Sequence, residues 1–317
     1  AFVAGYETAA RAGRACYPLA DGYHPHGVWG AVGGAVAVAT YRGYDADGVR
    51  RAARIAAKDA QHTLMAAATE GATVRQAFAG RANLDALLAA DLASAGFSGV
   101  SDGVARHLSL AASEFDRAAL AAGLGETWEV TRGYFKRHAA CRYTHPTLDA
   151  VNALAQSGLS ADAVASVRVE TYPAAADLAE RRPVNALQAK FSVPFAVATR
   201  LVHGTSGKEA FVEDAIDEAT LALAARVTVV ATDEMRAGLP DRRSARVVVE
   251  THDGRTLSET VQHAAGGAEN PYGEDEVREK FDSLTEPVLG AERADALWTA
   301  TRDGSGRIAD VLELTRQ

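Results

Sequence analysis

Val164-Ala-Ser-Val167-Arg168-Val169-Glu170-Thr171-Tyr172 is where the periodicity of this chain turns from helix to strand. Val167, Val169 and Thr171 alternate with Ser166, Arg168 and Glu170, the period-two pattern of a half-buried strand. Before about residue 133 the pattern is helical. Residues 2–16, 31–41, 48–62 and 81–95 carry Ala-rich helical spacing. Asp45 or Asp47 is placed to cap the third of these, and Gly33, Gly34, Ala35, Ala37 and Ala39 make the second narrow enough for close packing. Beyond the decisive strand, residues 226–231 and 244–252 read as further strands. Asp253-Gly254, between 247–249 and 257–261, is a hairpin signal. Residues 147–155 and 191–202 return to helix, and after Asn270-Pro271 so do 274–281 and 291–302. The expected architecture is mainly α with an α+β insert. It has a helical domain over 1–132, a smaller α+β lid over 133–268, and a helical return over 269–317 that packs back on the first domain.

At 317 residues, with 48% hydrophobic and 23% charged residues, the chain has the composition of a globular protein large enough for two domains. A net charge of −8 argues against nucleic acid or an anionic membrane as the main partner. Cys16 and Cys141, far apart and without zinc-type spacing, read as reduced thiols, and with no signal-like or membrane-spanning stretch the expected location is cytoplasmic. No metal and no cofactor is expected. The chain starts Ala-Phe-Val without methionine, already inside a helical pattern, which reads as an interior start.

Against the acidic background, residues 132–145 form a run of Arg132, Lys136, Arg137, His138, Cys141, Arg142, Tyr143 and His145 with no carboxylate among them. Cations interleaved with neutral donors suit a small anion bearing several carboxylates; a solvated basic loop held in surface ion pairs is the alternative. The absence of a Glu at helical spacing favours the anion site. Gly22-Tyr-His24-Pro-His26-Gly-Val-Trp-Gly30 sets two histidines in a stiff loop ahead of a helix, where imidazole can move a proton near neutral pH. His-x-His also permits a metal, but no third ligand stands at a recognisable spacing. Thr73-Val-Arg75-Gln-Ala-Phe78-Ala-Gly-Arg81 adds arginines at a helix entry, a carboxylate-binding or plainly structural arrangement.

These motifs, together with Ala189-Lys-Phe-Ser192-Val-Pro-Phe195 and Asn270-Pro271, occur in order along nearly the whole chain and resemble the MmgE/PrpD family of 2-methylcitrate dehydratases and cis-aconitate decarboxylases. The resemblance implies a helical domain completed by the C-terminal segment, an inserted lid, a site between them without an iron–sulfur cluster, and a homodimer. It implies that His24 and Lys136 are catalytic and that Arg75 stands where the family has lysine. Substrate-binding candidates are Arg75, Arg142, His26, His145, Cys141 and Ser192. Phe78 and Phe195 stand where the family has a histidine and a tyrosine, removing two proton-transfer groups. The family's Asp-rich N-terminal motif has no counterpart here, so the chain reads as the last two-thirds of a member, the rest being supplied by a second chain or removed. The expected activity is a lyase acting on a small di- or tricarboxylate. The alternatives are an isomerase or epimerase of the same fold, or a non-catalytic subunit that stabilises a partner.

Overall fold

The computed structural model of the chain describes residues 1–302, 304 and 307–316. Helices of seven or more residues are labelled in chain order. α1 (Phe2–Ala15), α2 (Gly30–Tyr41), α3 (Ala46–Ala56) and α4 (Ala77–Ser94) form the first layer. α2 is the central one. Its Ala31, Ala35 and Ala39 are fully buried against Ala52, Ile55 and Ala56 of α3 and Ala82, Ala86, Ala89 and Ala93 of α4. Small residues on both sides bring the backbones together. A Cβ on Gly33 would lie 2.6 Å from the Gly5 carbonyl oxygen and from the Ala9 Cβ, so α1 and α2 touch through glycine. Gly34 faces the Ala86 Cβ of α4 in the same way.

In this layer the boundaries of α3 and α4 differ from the sequence reading. α3 starts at Ala46 because the Asp45 carboxylate, not that of Asp47, accepts from the Gly48 backbone N–H, and it ends at Ala56 in a 3-10 turn over Ala57–Asp59. α4 begins at Ala77, four residues early, because a 3-10 turn over Thr73–Gln76 leads directly into it.

After α5 (His145–Gln156) comes β1 (Val164–Thr171), the decisive strand. Val167, Val169 and Thr171 are buried while Ser166 and Arg168 are exposed, as the alternation requires. α6 (Val193–His203) and α7 (Glu218–Ala224) then lead to β2 (Val227–Ala231), β3 (Ala245–Thr251) and β4 (Thr256–Val261). The four strands form one mixed sheet in the order β2-β1-β3-β4. β3 and β4 are the expected antiparallel hairpin, with Gly254 at φ +84° in the turn. β1 and β2 pair in parallel, which the local pattern did not reveal, since a parallel partner reached through helices leaves no turn signal. Val151 and Leu154 of α5 and Val193 and Val197 of α6 pack on Val167, Val169, Val227, Val247 and Val249 to make this half's core. Each such buried aliphatic side chain contributes about 1.5–3 kcal/mol.

The tail forms α8 (Glu274–Leu289), longer than expected and running through Pro287, then α9 (Ala291–Arg302) and α10 (Ile308–Leu314). Among the described residues the polar contacts of these three helices with the preceding chain go to Lys136, Arg137 and Lys208, and none reaches α1–α4. No described helix is long and apolar enough to cross a membrane.

Candidate functional site

The loop ahead of α2 is locked from beneath. Thr63 Oγ1 donates to the carbonyls of His24 (2.7 Å) and His26 (2.8 Å), and the His24 N–H donates to the Thr63 carbonyl (2.7 Å). The His24 ring is 3% exposed, and its Nδ1 accepts from the His26 backbone N–H at 3.0 Å. That bond sets the tautomer with the proton on Nε2. Burial pushes the His24 imidazolium down to about 4, and the neighbouring His26 and Arg75 push the same way, so at neutral pH the ring is an uncharged Nε2–H donor. Phe78 and Phe191 set their rings edge-on to it, with centroids 5.9 and 6.4 Å away.

Arg75, in the turn before α4, lies with its guanidinium 5.2 Å from the centroid of Phe191 and Nη2 3.3 Å from Nδ1 of His26. Its Nε is a buried donor with no partner, and no carboxylate pairs with it among the described residues. Lys136 sits in the extended segment after residue 132. Its ammonium makes no ion pair among the described residues, and burial lowers its pKa, with Arg75, Lys280 and Arg142 adding in the same direction. His26 is lowered by burial, then by Arg75 and Lys136. Phe191 thus borders both His24 and Arg75, and Lys136 is near enough for its charge to act on His26 and on Arg75.

The remaining expected residues fare differently. Ser192 is fully buried as the N-cap of α6: Oγ accepts from the Phe195 N–H at 2.9 Å and donates to the Glu180 carbonyl. Its donor and one of its acceptor positions are thus committed to the cap and to the Glu180 carbonyl. Arg142 donates to the carbonyls of Ala265 (3.0 Å) and Ala264 (3.1 Å) and lies 4.4 Å over the Tyr134 ring, which makes it first an anchor for the 264–265 turn. It also lines a cavity of about 470 Å³ with Arg132, Tyr134, Arg243 and Glu269, a volume suited to a small ligand. His145 is fully buried. Burial drives its pKa down to about 2, His138 and Arg142 add to this, and Nε2 has no partner. Cys141 is half-buried, and burial raises its thiol, keeping it protonated.

The cationic run itself divides. Arg132 has a carboxylate at helical spacing after all, Glu129 at 3.9 Å, just outside the stretch first read. Arg137 pairs with Glu279 (3.3 Å) and Glu276 (4.0 Å) of α8. Those two are the ordinary surface cations of the alternative reading, while among the described residues Lys136 and Arg142 have no carboxylate within 4.0 Å. Phe195 packs against Phe211 in a core away from solvent, centroids 6.1 Å apart, whereas Phe78 borders His24.

Three residues escaped the sequence reading as a group. His138, 1% exposed, places Nε2 2.9 Å from Asp149 Oδ1 and Nδ1 2.7 Å from Ser206 Oγ. His138 was visible in the run, but Asp149 on α5 and Ser206 beyond α6 carry no local signal. No group of three or more His, Cys, Asp or Glu side chains among the described residues is placed to hold a metal ion.

The profile of the MmgE/PrpD N-terminal domain matches residues 1–120, and that of the MmgE/PrpD C-terminal domain matches residues 138–303. The chain is 29% identical over 321 residues to the cis-aconitate decarboxylase-like protein oryM of Aspergillus oryzae, covering 92% of this chain and 65% of that protein. It is 25% identical over 319 residues to a cis-aconitate decarboxylase of Aspergillus terreus, covering 92% of this chain and 64% of that protein. It therefore spans a little under two thirds of the length of these relatives. With both domain profiles matched in order, and the C-terminal one alone extending over more than half its residues, the chain belongs to the MmgE/PrpD family.

Proposed function

We propose that this chain carries a lyase site for a small di- or tricarboxylate, at the junction of a helical domain over 1–132 and an α+β lid over 133–268. Family membership and the decarboxylase names of the relatives support a dehydratase or decarboxylase type. The observation that carries the reading is the pair of half-buried cations, Arg75 with its unpartnered Nε and Lys136 without a carboxylate, set against each other from opposite parts of the chain. A cation removed from water and left unpaired is costly unless an anion completes it. A ligand with two or more carboxylates completes both.

The roles follow from protonation. Arg75 holds one carboxylate as a fixed charge. His24, neutral and protonated on Nε2, donates a hydrogen bond without titrating. Lys136, with its lowered pKa, is the group able to exchange a proton: as ammonium it delivers one to the carbon that loses CO₂, and as amine it takes one from the carbon next to a carboxylate in a dehydration and returns it to the departing hydroxyl, which leaves as water. The edge-on rings of Phe78 and Phe191 form a dry wall beside His24, which suits departure of an uncharged CO₂. Decarboxylation is accordingly the first reaction to assay. Incubation with cis-aconitate and, separately, 2-methylcitrate, followed by CO₂ release and by product NMR, tests the reading. His24→Ala and Lys136→Ala are each expected to lower kcat by about 10²–10⁴. Unchanged turnover in both variants would refute the assignment.

A further inference from the structure

We infer that Asp149 is a positioning residue for Lys136, a role that rests on the reading of Lys136 above. The backbone from 133 to 141 has no regular secondary structure, so nothing in the segment itself fixes where the lysine stands. Besides the bond from the Lys280 ammonium to the Lys136 carbonyl, the lysine is held on both flanks by bonds that converge on one carboxylate. On the C-terminal side, Asp149 Oδ1 binds His138 Nε2 at 2.9 Å, two residues after Lys136. On the N-terminal side, Asp149 Oδ2 accepts from the Ala265 N–H at 2.8 Å, and the adjacent Gly266 carbonyl accepts from the Phe135 N–H at 2.9 Å, one residue before Lys136.

The supports around this ring are rigid. Asp149 belongs to α5, whose neighbours Leu148, Ala150 and Val151 are buried in core. Ser206 closes the far side, its Oγ 2.7 Å from His138 Nδ1 and its carbonyl accepting from the Ala139 N–H at 2.9 Å. Arg142 grips the 264–265 turn through two carbonyls, leaving the N–H of Ala265 to Asp149. The His138–Asp149 hydrogen bond thus does more than join two side chains, because the second carboxylate oxygen ties the opposite flank of the same lysine.

Geometry rather than charge is what Asp149 supplies, and this separates its conservative from its truncating variant. In Asp149→Asn the amide oxygen accepts from Ala265 and the NH₂ donates to His138 Nε2, while His138 moves its proton to Nδ1 and donates to Ser206. In Asp149→Ala both flanks are released. The test is carried out on the full chain after reductive ¹³C-methylation. Lys58, Lys136, Lys190, Lys208 and Lys280 are the chain's lysines, and loss of one signal in Lys136→Arg assigns Lys136. In Asp149→Ala the Lys136 signal is expected to move toward the free-lysine shift and to titrate higher, Lys58 staying fixed, with kcat falling at least tenfold and KM changing less. Asp149→Asn is expected to restore the signal and most of kcat. His138→Phe, which also releases one flank, is the substitute should Asp149→Ala not fold, with the same movement expected. A Lys136 signal unmoved in the folded variant, or equal losses in the Asn and Ala variants, overturns the inference. Turnover surviving Lys136→Ala would overturn the role given to the lysine but not the positioning, which the NMR shift decides separately.

Discussion

At the residue scale the site is defined by what each charged group lacks. Arg132 and Arg137 have carboxylates within 4.0 Å, and Lys136 and Arg75 have none among the described residues. A run of basic letters does not make that distinction; only the folded partners do. His24 shows the other side of burial. Its folded pKa of about 4 lies below the ordinary 6.5, so between those values the unfolded chain takes up a proton that the folded chain refuses. Stability must then fall as pH drops from about 6.5 toward 4. His24→Gln has no such proton to take up, so its melting temperature is expected to lie furthest below that of the parent above pH 6.5, with the gap narrowing toward pH 4. Melting scans across this range check it; a gap that widens on acidification would contradict the burial of a neutral imidazole.

Among the elements, the glycines of α2 govern how closely the helical layer packs. Gly33 has the Gly5 carbonyl and Ala9 where a Cβ would stand, so Gly33→Val is expected to cost about 1–3 kcal/mol, read as a lowered melting temperature with the helical content retained. A neutral substitution would mean that α1 does not lie on α2 as described. The same small-residue pattern was readable in the sequence, as were the β1 alternation and the Asp253-Gly254 hairpin, because each is a local signal with a fixed period or turn chemistry. The parallel β1–β2 pairing was not, since it joins residues about 60 apart through α6 and α7. The site follows the same division. His24, Arg75 and Lys136 stood out as motifs, whereas the bonds of Asp149 to His138 and Ala265 belong to three separate stretches. Ser192 shows the converse: its motif is local, and so is the bond its hydroxyl accepts in the α6 cap.

For the whole molecule, apolar side chains remain uncovered on two helices of the first layer: Phe2, Val3 and Tyr6 on α1, and Leu84, Leu87 and Leu88 on α4. Leu84, Leu87 and Leu88 lie at helical spacing on one face, and a continuous apolar stripe of this kind is what a subunit contact covers. We therefore propose a stable oligomer, homodimer or heteromer. Light scattering of the purified chain is expected to give at least twice its 33.2 kDa, and a well-behaved monomer would contradict it. In the proposed site Arg75 and Lys136, from the two parts of the chain, together hold a small polycarboxylate. Calorimetric titration with tricarballylate, a saturated tricarboxylate, tests it most directly. Saturable binding that weakens with added salt, and that loses at least about tenfold in affinity in Arg75→Ala and in Lys136→Ala alike, is the predicted result. No binding by the parent protein, or equal binding by all three proteins, would contradict it.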